Sequence, residues 1–197
     1  AASFRADLRP ADGAHGAVPA AADSLLPGKA AETLTDAPIQ ASKNHPEDEV
    51  LVTVGGSAAI DLAIRALVEP GDEVVIPEPC FVCYEPITQL TGGVPVHLPT
   101  RQEDDFRLTA AELKKAITPK TKLLILPYPN NPTGGVMGEK DLEAVAAVLR
   151  DTNVMVLSDE IYSELTYGLD RHVSIASLPG MRERTIVING FSKSYAM

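Results

Sequence analysis

Short apolar runs alternate with stretches of helical period along most of this chain, and that alternation restricts it to an α/β fold built on a mostly parallel sheet flanked by helices. Val50–Val54, Glu73–Pro77, Val94–Leu98, Lys122–Leu126, Val154–Leu157 and Ile186–Ile188 have the length and composition of strands. Ile60, Ala63, Ile64, Leu67 and Val68 recur at the spacing of one helix face, as do Leu142, Val145, Ala146 and Leu149. A helical piece is expected over Tyr84–Leu90, and Thr109-Ala110-Ala111-Glu112 has capping-box spacing ahead of Leu113 and Ile117. Parallel strands joined by helices gather their carboxyl ends along one edge, where open sheets of this kind bind ligands. The residues that terminate each run are therefore placed to do chemistry.

Four such termini stand out. Lys193 follows the run at 186–188, and burial at a strand end would lower its pKa and favour the nucleophilic neutral amine. Gly55-Gly56-Ser57 opens the helix after Val54, offering unpaired N–H groups, a positive dipole end and a hydroxyl, the ingredients of a phosphate site. Pro127 to Gly134 contains Asn131 ahead of a proline, which holds its backbone in an extended or turn form. Ser158-Asp159-Glu160-Ile161-Tyr162 puts a carboxylate at the end of a buried-type strand. Singly, each has an ordinary reading: a solvated loop lysine, a strand-to-helix turn, a rigid proline loop, a surface or capping acid. Together they match the needs of pyridoxal phosphate: an amine for its aldehyde, an anion for its pyridine nitrogen, donors for its phenolic oxygen and N–H groups for its phosphate.

From about Pro46 to Met197 the chain resembles the class I and II aminotransferases of pyridoxal-phosphate fold type I. The resemblance rests on Gly55-Gly56-Ser57, Pro79-Cys80-Phe81-Val82-Cys83-Tyr84, Asn131-Pro132-Thr133-Gly134, Ser158 to Tyr162, and Ser192 to Met197, in that order and spacing. It implies that Lys193 condenses with the cofactor aldehyde and later shuttles the substrate proton. It further implies that Asp159 pairs with the protonated ring nitrogen and that Asn131 and Tyr162 hydrogen-bond the phenolic oxygen. Phe81 would stack on the ring, and Gly55, Gly56 and Ser57 would hold the phosphate. The expected reaction moves an amino group between an amino acid and a 2-oxo acid, in a homodimer. A lyase or decarboxylase of the same fold and a catalytically inactive cofactor-binding or interaction fragment are the alternatives.

The chain departs from the family pattern at several points. Gly190 stands three positions before the lysine, where relatives often have a phosphate-binding serine, and Pro127 stands where many have asparagine. Relatives continue beyond the position of Met197 into a Gly-x-Arg segment and a C-terminal domain that grips the substrate carboxylate, so the large domain is expected to be incomplete. Residues 1–46, rich in alanine and proline with one aromatic, Phe4, have no sustained period and do not match the family. They are expected to be irregular, with a short helical turn near 29–34, ahead of a cofactor-binding domain over 47–197.

The net charge of −10 argues against a nucleic-acid partner, which would need a basic face. No apolar run reaches membrane-spanning length and no export signal opens the sequence, so a cytoplasmic location is expected. Cys80 and Cys83 form the single Cys-x-x-Cys, and the histidines show no ligand spacing, so the pattern does not point to a metal. Reduced thiols are the expectation for the pair.

Overall fold

The computed structural model describes residues 49–168 and 171–197. The expected irregular segment 1–46, its helical turn near 29–34 and the boundary at 46/47 lie outside the described residues. Five strands, β1 Glu73–Glu78, β2 Val94–Pro99, β3 Thr121–Leu126, β4 Met155–Asp159 and β5 Thr185–Ile188, form one sheet in the order β2-β1-β3-β4-β5. Every pairing is parallel. Helices α2 Tyr84–Leu90, α3 Ala110–Ala116 and α4 Glu139–Leu149 lie on the crossovers from β1 to β2, β2 to β3 and β3 to β4, while α1 Gly56–Leu67 precedes the sheet and α5 Phe191–Ser194 follows it.

The central strand explains the layering. Side chains alternate across a strand, so Leu123 and Ile125 of β3 face one side and Leu124 and Leu126 the other, and all four are essentially inaccessible to solvent. Leu123 and Ile125 join Ile60, Ile64, Val74, Ile76, Tyr84, Leu157 and Ile188 in the core beneath α1 and α2. Leu124 and Leu126 join Val75, Leu113, Leu142, Val145, Leu149 and Val156 in the core beneath α3 and α4. A strand buried on both faces is apolar at every position, which is why Lys122–Leu126 shows no alternation of polarity. Full burial of each such leucine or isoleucine contributes about 1.5–3 kcal/mol of transfer free energy.

The helix signals appear in place. Thr109 caps α3 by accepting a hydrogen bond from Glu112 N at 3.3 Å, and Asp141 reaches back from the first turn of α4 to accept from Gly138 N at 3.1 Å. Both bonds satisfy donors that a helix start leaves free.

Val50–Val54 is a correction. This run is not a strand: its backbone joins no ladder among the described residues, and Val52 and Val54 are 89% and 102% exposed. An apolar, β-branched sequence supplies a strand's side chains but not its partner, and without a ladder the segment remains irregular. Among the described residues no helix is long and apolar enough to cross a membrane.

Candidate active site

The carboxyl ends of β3, β4 and β5 and the start of α1 converge on a cleft of about 190 Å³. Gly56, Ser57 and Ile60 of α1, Phe81 and Tyr84 from around the start of α2, and Pro127, Pro129 and Asn131 from the loop after β3 form part of its wall. Asp159, Ile161 and Tyr162 after β4, and Ser192 and Lys193 of α5, complete it. The parallel topology thus joins residues far apart in sequence, as expected for ligand sites in open α/β sheets.

Asp159 lies at the floor. Only 6% exposed, it accepts a hydrogen bond from Tyr84 Oη at 2.7 Å on Oδ2 and from Ile161 N at 3.2 Å on Oδ1. Burial pushes its pKa up, the two hydrogen bonds oppose that shift, and the neighbouring Glu160 charge reinforces it. No cationic side chain is paired with it among the described residues. Glu160 N donates to Ile188 O at 2.8 Å, tying the end of β4 to the end of β5.

The loop after β3 is braced internally. Asn130, 7% exposed, accepts from Thr133 N and Thr133 Oγ1 on its side chain, at 3.3 and 2.9 Å. Its carbonyl accepts from Gly134 N at 2.9 Å, and its own N–H donates to Gly135 O at 2.9 Å. Gly134 has φ +73°, the left-handed region that glycine adopts without steric cost. This bracing presents Asn131 to the cleft, where its Nδ2 lies 3.5 Å from Tyr162 Oη.

At the phosphate-type turn, Gly55 precedes α1 with φ +115°, and a methyl group added there would meet nothing within 4 Å. Gly56 and Ser57 reach the cleft, whereas Gly55 does not line it. On the opposite side, Asn189 donates from Nδ2 to Ser163 Oγ at 3.1 Å and accepts from Gly190 N at 2.7 Å, fixing the turn into α5. Lys193 lines the cleft from that one-turn helix but is exposed. The burial expected for it is not present: α5 follows β5, the last strand in the order of the described sheet, and Phe191, Ser192 and Lys193 are all exposed.

Phe81 is half-buried at the cleft and meets Tyr84 edge to face, ring centroids 6.0 Å apart at 82°. Cys80 and Cys83, on either side of it, are unpaired thiols. Burial pushes each up to about 11, helped by Glu78 and Glu85 at Cys80 and by Asp159 at Cys83. Among the described residues no cluster of three or more His, Cys, Asp or Glu side chains is placed to hold a metal ion.

The sequence marks Lys193, Asp159, Tyr162, Asn131, Phe81, Gly56 and Ser57, and all seven line the cleft. It assigns no role to Tyr84, whose partner lies 75 residues away. A local pattern carries no signal for such a contact.

The sequence model described as aminotransferase class I and II matches residues 29–197, and so takes in part of the segment before residue 47. The putative aminotransferase YugH of Bacillus subtilis is 52% identical over 152 residues, covering 77% of this chain and 39% of that protein. The aspartate aminotransferase of Pyrococcus abyssi is 49% identical over 152 residues, again 77% of this chain and 39% of that protein. Among solved structures, the aromatic aminotransferase of Pyrococcus horikoshii superposes with a TM-score of 0.73 at 43% identity, covering 80% of this chain and 45% of that one. The chain thus spans about 39% of the length of these two curated relatives. With the parallel sheet, the motif order and the family match in agreement, the chain belongs to the class I and II aminotransferases and has their pyridoxal-phosphate fold type I architecture.

Proposed function

We propose that this chain forms the cofactor-binding core of a pyridoxal-phosphate-dependent aminotransferase that moves an amino group between an amino acid and a 2-oxo acid. The observation that carries the reading is the convergence of Lys193, Asp159, Asn131, Tyr162, Phe81 and Ser57 on one cleft. The donor set fits the cofactor. Asp159 is a buried carboxylate without a cationic partner among the described residues, the environment that a protonated ring nitrogen would complete. The open glycine turn before α1 leaves room for a phosphate against backbone N–H groups.

When bound, pyridoxal phosphate supplies an aldehyde that joins the substrate amine and a ring that draws electrons from the substrate Cα–H bond. The chain's residues divide the remaining work. Lys193 would hold the cofactor through its amine, and that amine would serve as the base that takes the substrate Cα proton and as the acid that delivers it to the carbon of the former aldehyde. Asp159 keeps the ring nitrogen protonated. Asn131 and Tyr162 would donate to the phenolic oxygen, Phe81 would cover a ring face, and Gly56, Ser57 and Ser192 would hold the phosphate. A homodimer is the proposed assembly, and the unpaired thiols Cys80 and Cys83 fit a reducing cytoplasm.

The test is borohydride reduction of the protein incubated with pyridoxal phosphate, followed by peptide mapping. The expected adduct is on Lys193 and absent from Lys193→Ala, and an amino-acid substrate should bleach the visible band while releasing its 2-oxo acid. An adduct that persists in Lys193→Ala would remove the reading.

A further inference from the structure

We infer that Tyr84 is a positioning residue of this site, its hydroxyl fixing Asp159 as an ionised and correctly oriented acceptor for the protonated ring nitrogen of pyridoxal phosphate; this rests on the function proposed above. Tyr84 is 1% exposed and Asp159 6%. Their oxygens are 2.7 Å apart, the length of a charge-assisted O–H···O bond.

The direction of that bond is fixed. Burial, then the Asp159 charge, then the hydrogen bond itself raise the pKa of Tyr84 far above its ordinary value, so the proton stays on the phenol and the hydroxyl donates. Asp159 needs this donor, because an uncompensated carboxylate in such surroundings tends to take up a proton, and a neutral acid cannot hold a positive ring nitrogen. Ile161 N satisfies Oδ1. The Tyr84 hydroxyl satisfies Oδ2 and leaves each oxygen a further lone pair.

Tyr84 is itself held rigidly. It opens α2, its carbonyl accepts from Thr88 Oγ1 at 2.9 Å, and its ring meets the edge of Phe81. One side chain therefore links the residue proposed to cover the cofactor ring with the residue proposed to hold its nitrogen. A displacement of Tyr84 would disturb both contacts, whereas loss of its hydroxyl alone disturbs only the second.

Tyr84→Phe preserves the ring and removes only the hydroxyl. Binding of pyridoxal phosphate is compared with binding of its 1-deaza analogue, in which carbon replaces the ring nitrogen, by titration of the purified protein. The expected result is roughly a ten-fold or greater loss of affinity for pyridoxal phosphate, as for removal of a hydrogen bond to a charged group, with affinity for the deaza analogue unchanged. In an Asp159→Asn background, adding Tyr84→Phe should change neither affinity further. Equal losses for both compounds would show that Tyr84 serves packing alone, and no loss for either would show that its hydroxyl is idle; both outcomes overturn the inference while leaving the proposed function standing. A wild-type protein that binds the two compounds equally would instead remove Asp159 from the ring nitrogen and end both.

Discussion

His172 and Glu160 meet below the cleft, Nε2 to Oε2 at 2.9 Å, with side chains only 8% and 2% exposed. Ser158 and Ser174 add their hydroxyls to Glu160 Oε1 at 2.9 and 2.6 Å. Two hydroxyls and an imidazole, from β4 and from the segment after residue 171, thus close on one carboxylate beside Asp159. Removing it would leave all of them buried without an acceptor. Glu160→Ala is expected to cost about 1–3 kcal/mol, the penalty for leaving a buried hydrogen-bonding group without its partner, and Glu160→Gln less, because one acceptor oxygen remains. Urea unfolding of the two variants checks the order; equal stability in Glu160→Ala and wild type would show that the cluster contributes nothing.

Asp159 is expected to make the unliganded protein less stable as pH rises. Its pKa is raised in the fold by burial first, so its favourable contribution is complete below the unfolded value of about 3.9 and is lost as pH rises through the folded one. Asp159→Asn removes the ionisation. The melting temperature of this variant minus that of wild type should be a margin that widens in the variant's favour as pH is raised from about 4 and then levels off. A margin that narrows over the same interval would contradict the assigned sign.

Cys80 and Cys83 should be sluggish nucleophiles at neutral pH. With both thiols pushed up to about 11 by burial, the thiolate fraction at pH 7 is far below that of a free cysteine. Iodoacetamide labelling followed by mass spectrometry should give rates still climbing at pH 10, beyond the plateau expected near the ordinary thiol value of about 8.5. Rapid labelling at pH 7 would indicate a different environment.

Gly93 sits where α2 hands over to β2 and has no room for a side chain. A methyl group there would lie 2.7 Å from Val68 Cγ1, 3.0 Å from Thr88 Cγ2 and 3.2 Å from Thr88 O. Thr88 is fully buried and cannot yield easily. Gly93→Ala is expected to destabilise by about 1–3 kcal/mol through overpacking, measured by thermal melting. An unchanged melting temperature would mean that the turn between helix and strand shifts freely.

Much of the fold could be read from local pattern because a parallel sheet buried on both faces writes continuous apolar runs. Lys122–Leu126 and Val154–Leu157 fall on β3 and β4 within a residue or two, and the helix at Tyr84–Leu90 falls on α2. The same reasoning failed at Val50–Val54, since strand composition cannot show whether a partner exists. Residues that line the cleft are legible where a motif lies within a few positions of a strand end, as at Asp159 and Asn131. The contacts between Tyr84 and Asp159 and between Glu160 and His172 were not, because each joins different turns of the chain through the packed interior. The exposure of Lys193 escaped for the related reason that its environment depends on what packs over α5.

The sheet also governs how quickly its parts can come together. Since every ladder among the described residues is parallel, no neighbouring strands there can zip up from a tight hairpin, and each contact waits for a crossover to close at an entropic cost. The β1 to β3 ladder joins Glu73 to Thr121 across the whole of β2 and its helices, a long-range arrangement of the kind that slows the search for the native state. The turn bearing Lys193 follows β5, which pairs only with β4 among the described strands, so the position of that turn depends on a strand held by a single neighbour.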